Sequence, residues 1–393
     1  MRAVNSKKTG WGGAKKVCSY LLLLAFASAV SATEGADEKD LAKRLAKAEN
    51  GDRNAQVFLA DGYEFGRFGA PDRVQAARWY RRAADQGDAY AQTHLGVIYL
   101  EGLGVAEDKA EAVRWFQRAA ASSDPVGQHD LAMMYLKGWG VAEDREHAIE
   151  LMMRSAKAGL DLSQLCIGLT YIEGEGLRRD EQEGFRWLKR ATHNHLPAAL
   201  FVLGYAYENA LGTPQDLAKA ASEYRRAAEL GDAMAQNNLG RMYFDGRGVP
   251  RDRSHAMEYF RAGAEQQNRE SYLNMAVCSL DGCQGSRDLV AAYAWYVTAR
   301  DAQLPIEAEF TEKFSQVAAA LSAAQVSDAR ARSQSWLAKH SSDSAISVVM
   351  LKHAPKVSPN AGYAMQNAKE AFVEPWLPIS IPLPNYRSPD LQH

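Results

Sequence analysis

Between residues 91 and 120 the hydrophobic positions form two runs at helical spacing with a glycine-rich break between them. Ala91, Leu95, Ile98 and Tyr99 line one face of a first helix. Gly102 and Gly104 end it, glycine being suited to the left-handed residue after a helix and to a tight connection. Ala112, Trp115, Phe116, Ala119 and Ala120 line one face of a second helix. Asp108 stands just before that second run, where a carboxylate accepts the free amide protons of a first helical turn, and Glu111 three residues on completes a capping box. The pattern predicts a helix–turn–helix with large rings set against alanines.

The unit then recurs. Asp72, Asp108, Asp144, Asp180, Asp216, Asp252 and Asp288 are spaced by 36 residues, and Tyr63, Tyr99, Tyr135, Tyr171, Tyr207 and Tyr243 keep the same interval. Trp79, Trp115, Trp187 and Trp295 share one slot of the second helix, and Tyr80, Phe116, Leu188, Tyr224, Phe260 and Tyr296 the next. Gly87, Gly159 and Gly231 close the second helix. A period of this length held over seven cycles is the mark of a stacked array, in which each unit buries the apolar face its neighbour exposes. The aspartates read as caps and the aromatic stripe as core.

The string Ala-x3-Leu-Gly-x2-Tyr-x2-Gly-x-Gly-Val-x2-Asp-x3-Ala-x2-Trp-Phe-x2-Ala-Ala at 91–120, with Gln236-Asn-Asn-Leu-Gly240-Arg-Met-Tyr243 and Gly246-Arg-Gly248-Val, resembles the Sel1-like repeat family, a relative of the tetratricopeptide repeats. The resemblance implies an all-α chain. Its form would be an α/α superhelical solenoid of seven ~36-residue helix-turn-helix repeats with helical caps and a concave groove. It also implies protein–protein interaction more than chemistry. The repeats are expected over 55–306, an N-terminal capping helix over 33–54 and C-terminal capping helices over 307–340. Departures are expected to alter turns locally without breaking the stack. They are Phe68 in place of the second glycine, Ala210 in place of the first, Glu223 in the tryptophan slot, Leu151-Met152-Met153, and Ser279 in place of tyrosine.

The two ends differ from the array. Arg2, Lys7, Lys8, Lys15 and Lys16 precede a short apolar run from Val17 to Ala27, and Val30-Ser31-Ala32 offers small residues for cleavage. Residues 1–32 therefore read as a secretory signal peptide cut near Ala32. The run is short of the roughly 20 residues a spanning helix needs, so no stable membrane span is expected after cleavage. The leader carries five basic residues and no acidic ones, which leaves 41 basic against 48 acidic, a net of −7. That balance argues against nucleic acid as a partner. Residues 341–393 hold seven of the thirteen prolines. This Pro-rich tail is expected to be extended or disordered, either free or strapped to a surface.

Catalytic signatures are lacking: there is no His-Glu-x-x-His, Gly-x-Ser-x-Gly, phosphate loop or Cys-x-x-Cys. His193-x-His195, the only close histidine pair, falls in a turn. No catalytic, cofactor or metal site is expected, and the chain is read as a non-enzyme. Cys278 and Cys283 flank a turn at Gly282 and form either a disulfide or two free thiols, while Cys166 reads as a small buried apolar residue. Some cysteine-rich Sel1 relatives are linked to β-lactam hydrolysis, but those carry a pair in nearly every repeat and this chain has at most one.

Recognition is expected in the first-helix slots that vary while the frame repeats. These hold Asp61, His94, Glu101, Asp130, Lys137, Tyr205, Asn209, Asn238, Arg241 and Asp245; the alternative is that they are merely solvated. The function expected is an exported scaffold or adaptor that binds a protein or peptide in the cell envelope, after cleavage in the periplasm or outside the cell. An alternative is a component of cell-wall or exopolysaccharide assembly. Neither the partner nor the oligomeric state is written in the sequence.

Overall fold

Every aspartate of the 36-residue series caps a helix. In the computed structural model, which describes residues 38–340, one oxygen of Asp72, Asp108, Asp144, Asp180, Asp216, Asp252 and Asp288 accepts the amide proton three residues on, at 2.9–3.0 Å. Each bond of this kind is worth about 1 kcal/mol. The backbone N–H of the same aspartate donates to the carbonyl of the residue nine positions earlier, which is Tyr63, Tyr99, Tyr135, Tyr171, Tyr207, Tyr243 or Ser279. The two periodic residues are thus the two ends of one hydrogen bond that closes each helical pair.

The described residues form seventeen helices and no strand. In order they are α1 (Glu38–Glu49), α2 (Arg53–Glu64), α3 (Arg73–Asp85), α4 (Ala89–Glu101), α5 (Lys109–Ala121), α6 (Pro125–Lys137), α7 (Arg145–Lys157), α8 (Asp161–Glu173) and α9 (Glu181–Ala191). Then follow α10 (Pro197–Asn209), α11 (Leu217–Glu229), α12 (Ala233–Asp245), α13 (Arg253–Glu265), α14 (Arg269–Asp281), α15 (Leu289–Asp301), α16 (Ala308–Ala319) and α17 (Ala323–His340). The leader at 1–32 and the tail at 341–393 lie outside the described residues.

The described chain divides into two units, the first ending at Trp115 and the second beginning at Phe116. In the first unit α1 packs on α2, α2 on α3 and α3 on α4. Its core holds Leu59, Trp79, Tyr80, Leu95, Ile98 and Trp115, interleaved with Ala55, Ala76, Ala83 and Ala91. Small residues let the helix backbones approach and the rings fill what remains. Gly104 shows the fit at the turn: a Cβ there would stand 2.5 Å from the Arg73 carbonyl carbon, so only glycine lets this connection lie on the start of α3. Where Phe68 replaces the second glycine, its ring packs on Phe58 and Tyr63 and occupies the space a Cβ on Gly62 would need.

The second unit stacks the same way from α6 to α15, each helix on the next, and α15 carries α16 and α17. Phe314, Val317 and Ala329 are buried in this closure, and Trp336 sets its ring edge-on to Trp295 at 4.7 Å. Beneath α6 and α7 runs a buried polar chain. Ser155 Oγ donates to the Pro125 carbonyl at 2.6 Å and lies 2.7 Å from Ser163 Oγ, which is 2.7 Å from His129 Nδ1. Burial pushes the His129 imidazole down to about 3, so it is neutral.

A second ladder had no forecast in the sequence. The amides of Gln56, Gln92, Gln164 and Gln236 donate to the carbonyls of Ala48, Ala84, Ala156 and Ala228, eight residues earlier, fastening four of the first helices to the end of the helix before them.

Candidate partner-binding surface

Among the buried polar groups, two islands stand on matching slots, one in the first unit and one in the second. In the first unit, α2 supplies Asp61 and Glu64, α3 supplies Tyr80, and α4 supplies Tyr90 and His94. The Tyr80 hydroxyl lies 2.7 Å from Asp61 Oδ1 and 2.5 Å from Glu64 Oε2. His94 Nδ1 is 3.2 Å from the same Glu64 oxygen, and the Tyr90 hydroxyl is 3.3 Å from Asp61 Oδ1. The His94 ring packs against both Tyr80 and Tyr90, at centroid distances of 4.8 and 4.1 Å. Glu64, Tyr80 and His94 are buried, Asp61 half-buried, and Tyr90 exposed. Burial, the largest cause, pushes the Asp61 carboxyl above its ordinary range, and it raises both phenols.

In the second unit, α10 supplies Tyr205 and Glu208, α11 supplies Tyr224, and α12 supplies Asn238, Arg241 and Asp245. The Tyr224 hydroxyl donates to Glu208 Oε2 at 2.9 Å, and Arg247, on the turn after α12, donates to Glu208 Oε1 at 3.1 Å. Asn238 and Arg241 stand close enough to act on the Tyr224 phenol. Arg241, Arg247 and Arg251 all bear on the charge of Asp245. Tyr205, Asn238 and Arg241 are half-buried and Asp245 is exposed.

The structure therefore gathers Tyr205, Asn238, Arg241 and Asp245 into one cluster, and Asp61 with His94 into another. Asn209 is exposed and turns its amide back to the Tyr205 carbonyl at 3.0 Å. Lys137 lies over the exposed ring of Trp139 at 5.8 Å. Glu101 is half-buried at the end of α4. Asp130 is half-buried with Oδ2 shielded and lacking a hydrogen-bond partner, and burial pushes its carboxyl up to about 8. His94 is neither solvated nor open to a partner: it is 1% exposed and packs against the rings of Tyr80 and Tyr90.

Sequence reasoning passed over Glu64, Tyr80, Tyr90, Glu208, Tyr224 and Arg247. A signal was present. The slot of Glu64 and Glu208 is otherwise Leu100, Leu136, Ile172, Phe244 and Leu280, so a carboxylate there has entered an apolar position.

A disulfide joins Cys278, at the end of α14, to Cys283, with Cα atoms 5.3 Å apart. Cys166 is buried with a free thiol. Among the described residues no three His, Cys, Asp or Glu side chains are grouped to hold a metal ion, and no helix is long and apolar enough to cross a membrane.

Adjacent helical pairs stacked in sequence define a helical-repeat protein of the interaction-scaffold class. The Sel1 repeat model matches seven times, at residues 53–88, 89–124, 125–160, 163–194, 197–232, 233–268 and 269–303. The chain belongs to the Sel1 repeat family. Its first repeat opens with α2 at Arg53, two residues before the boundary read from the sequence. Proteins of this family are generally protein-interaction scaffolds and typically non-catalytic. A crystal structure of a Sel1 repeat protein from Oxalobacter formigenes is similar at 26% identity and a TM-score of 0.56, over 65% of this chain and 99% of that one. A protective antigen of uropathogenic Escherichia coli with an SLR fold is similar at 25% identity and a TM-score of 0.48, over 81% of this chain and 76% of that one. No curated protein matches this chain.

Proposed function

We propose that this chain is an exported, non-enzymatic scaffold that holds a protein or peptide of the cell envelope against the variable slots of its first helices. The observation that carries the reading is the cluster of Tyr205, Asn238, Arg241 and Asp245 around the anchored Glu208. The buried side of the cluster fixes Glu208 through Tyr224 and Arg247, and the half-exposed side leaves an aromatic ring, a guanidinium and a carboxylate where a partner can reach them. Tyrosine and arginine are the residue types that most often anchor an interface. Export is supported by the basic, apolar and small-residue order of residues 1–32 and by a disulfide, which persists in oxidising compartments.

The test replaces Tyr205 or Arg241 with a photo-crosslinking residue in the native cell and identifies what is captured in the envelope fraction. One stoichiometric partner, lost in a Tyr205→Ala/Arg241→Ala variant that melts like wild type, is the expected result. Recovery of the chain in the cytoplasm with its leader uncut would end the reading, as would equal partner recovery by the variant.

A further inference from the structure

The island of the first unit is one hydrogen short. The Tyr80 hydroxyl carries a single proton, yet its oxygen contacts both a carboxylate oxygen of Asp61 at 2.7 Å and one of Glu64 at 2.5 Å. If both carboxyls were ionised, one of these contacts would press two oxygens together with no hydrogen between them, at the hydroxyl of a fully buried tyrosine. An unmade hydrogen bond of that kind in a buried place is strongly unfavourable. We infer that the folded protein holds an extra proton on Asp61, so that Asp61 donates to Tyr80, Tyr80 donates to Glu64, and the first unit is tightened by acid.

The neighbours decide which carboxyl carries the proton. Glu64 Oε2 meets His94 Nδ1 from α4 at 3.2 Å as well as the phenol, and when that ring nitrogen carries its proton the two donors on one oxygen suit an anion. Asp61 has only the phenols, with Tyr90 more distant at 3.3 Å. The charged and titratable groups that act on Asp61 are Glu64 on its own helix, Tyr80 on α3, Tyr90 and His94 on α4, and Arg67 on the turn after α2. Burial, the largest cause, and the charge of Glu64 favour the neutral acid; His94, the bond to Tyr80 and Arg67 oppose it, and the net effect raises the carboxyl. The sign of the linkage follows. A carboxyl raised on folding adds stability that is complete below its unfolded value, near 3.9, and is lost as pH rises through its folded value. The second unit lacks this device, because Arg247 gives Glu208 a permanent cation and Tyr224 contacts one carboxylate.

The experiment uses the full mature chain with carboxyl-labelled aspartate and glutamate, followed by carbon NMR against pH, Asp61 and Glu64 being assigned by their absence in Asp61→Asn and Glu64→Gln. Hydrogen exchange over residues 53–101 is read alongside. The expected result is a resonance still protonated well above the ordinary aspartate range, and protection that falls by up to about tenfold per pH unit as it ionises. In Asp61→Asn, which keeps a donor but cannot titrate, that fall disappears. Titration of Asp61 within or below the ordinary range would overturn the inference, and so would a raised titration that belongs to labelled Glu64. Neither outcome bears on the partner surface of the second unit, whose test is separate.

Discussion

The islands at Glu64 and Glu208 begin from the same substitution, a glutamate in an otherwise apolar first-helix slot with a tyrosine sixteen residues later. They end in different chemistry. At Glu208 the carboxylate is shared between one phenol and Arg247, a cation that does not titrate. At Glu64 the slot of Tyr205 holds Asp61 and the slot of Asn238 holds His94, so two acids and an imidazole crowd one phenol. A repeat frame thus supplies the cavity, while the residue one or two turns away decides whether the charge is held by a fixed partner or by a proton. The fixed one leaves Arg241 and Asp245 for a partner; the proton-held one is mostly turned inward.

Acid separates the two regions most sharply. The first unit tightens as pH falls, through Asp61. In the second, His129 must stay neutral: its folded value near 3 lies below the ordinary 6.5, so stability is lost as pH drops from about 6.5 toward 3, by up to about 4 kcal/mol. Hydrogen exchange over α6–α8 should show that loss in wild type and much less of it in His129→Gln. Equal acid sensitivity in both chains would remove the contrast.

The next effect is the phenol itself. Tyr80→Phe should cost about 3 kcal/mol at neutral pH, since two carboxyls lose their common partner, whereas Tyr224→Phe should cost about 1 kcal/mol because Arg247 still holds Glu208. Denaturant-dependent exchange of each unit measures both, and equal costs would show the islands to be the same device.

The smallest difference lies in the backbone. Every left-handed residue of the first unit, among those described, is glycine, but the second carries Ser123, His195, Ala210, Gln267 and Gln303 at φ of 59–62°. A side chain in that conformation costs about 1 kcal/mol. His195→Gly and Ala210→Gly should each raise the melting midpoint of the second unit. Gly87→Ser should lower that of the first by a similar amount, because a Cβ at Gly87 meets nothing within 4 Å and the cost is conformational alone.

What the sequence revealed is what recurs. Asp72 through Asp288 and Tyr63 through Tyr243 announced the paired helices because seven copies make the same local bond. The left-handed turn at His195 was legible through Gly87, Gly159 and Gly231, although its own residue gave no hint. The islands were obscure for the opposite reason. Tyr80 and Tyr224 read as core rings, which they are, and nothing along the chain says that a hydroxyl at the ring's end meets a carboxylate sixteen residues back. Tyr296 keeps the ring with Leu280 in the partner slot, so the tyrosine alone carries no signal.

The bond from each capping aspartate to the carbonyl nine residues earlier has a consequence for how such a chain can change over time. It fixes the number of residues in the turn, so losing or gaining a single codon there would unseat the cap and misalign every packed ring beyond it. Copying or deleting a whole period leaves each bond intact. The gene can therefore grow or shrink by complete modules, and length variation among descendants should come in steps of one helical pair.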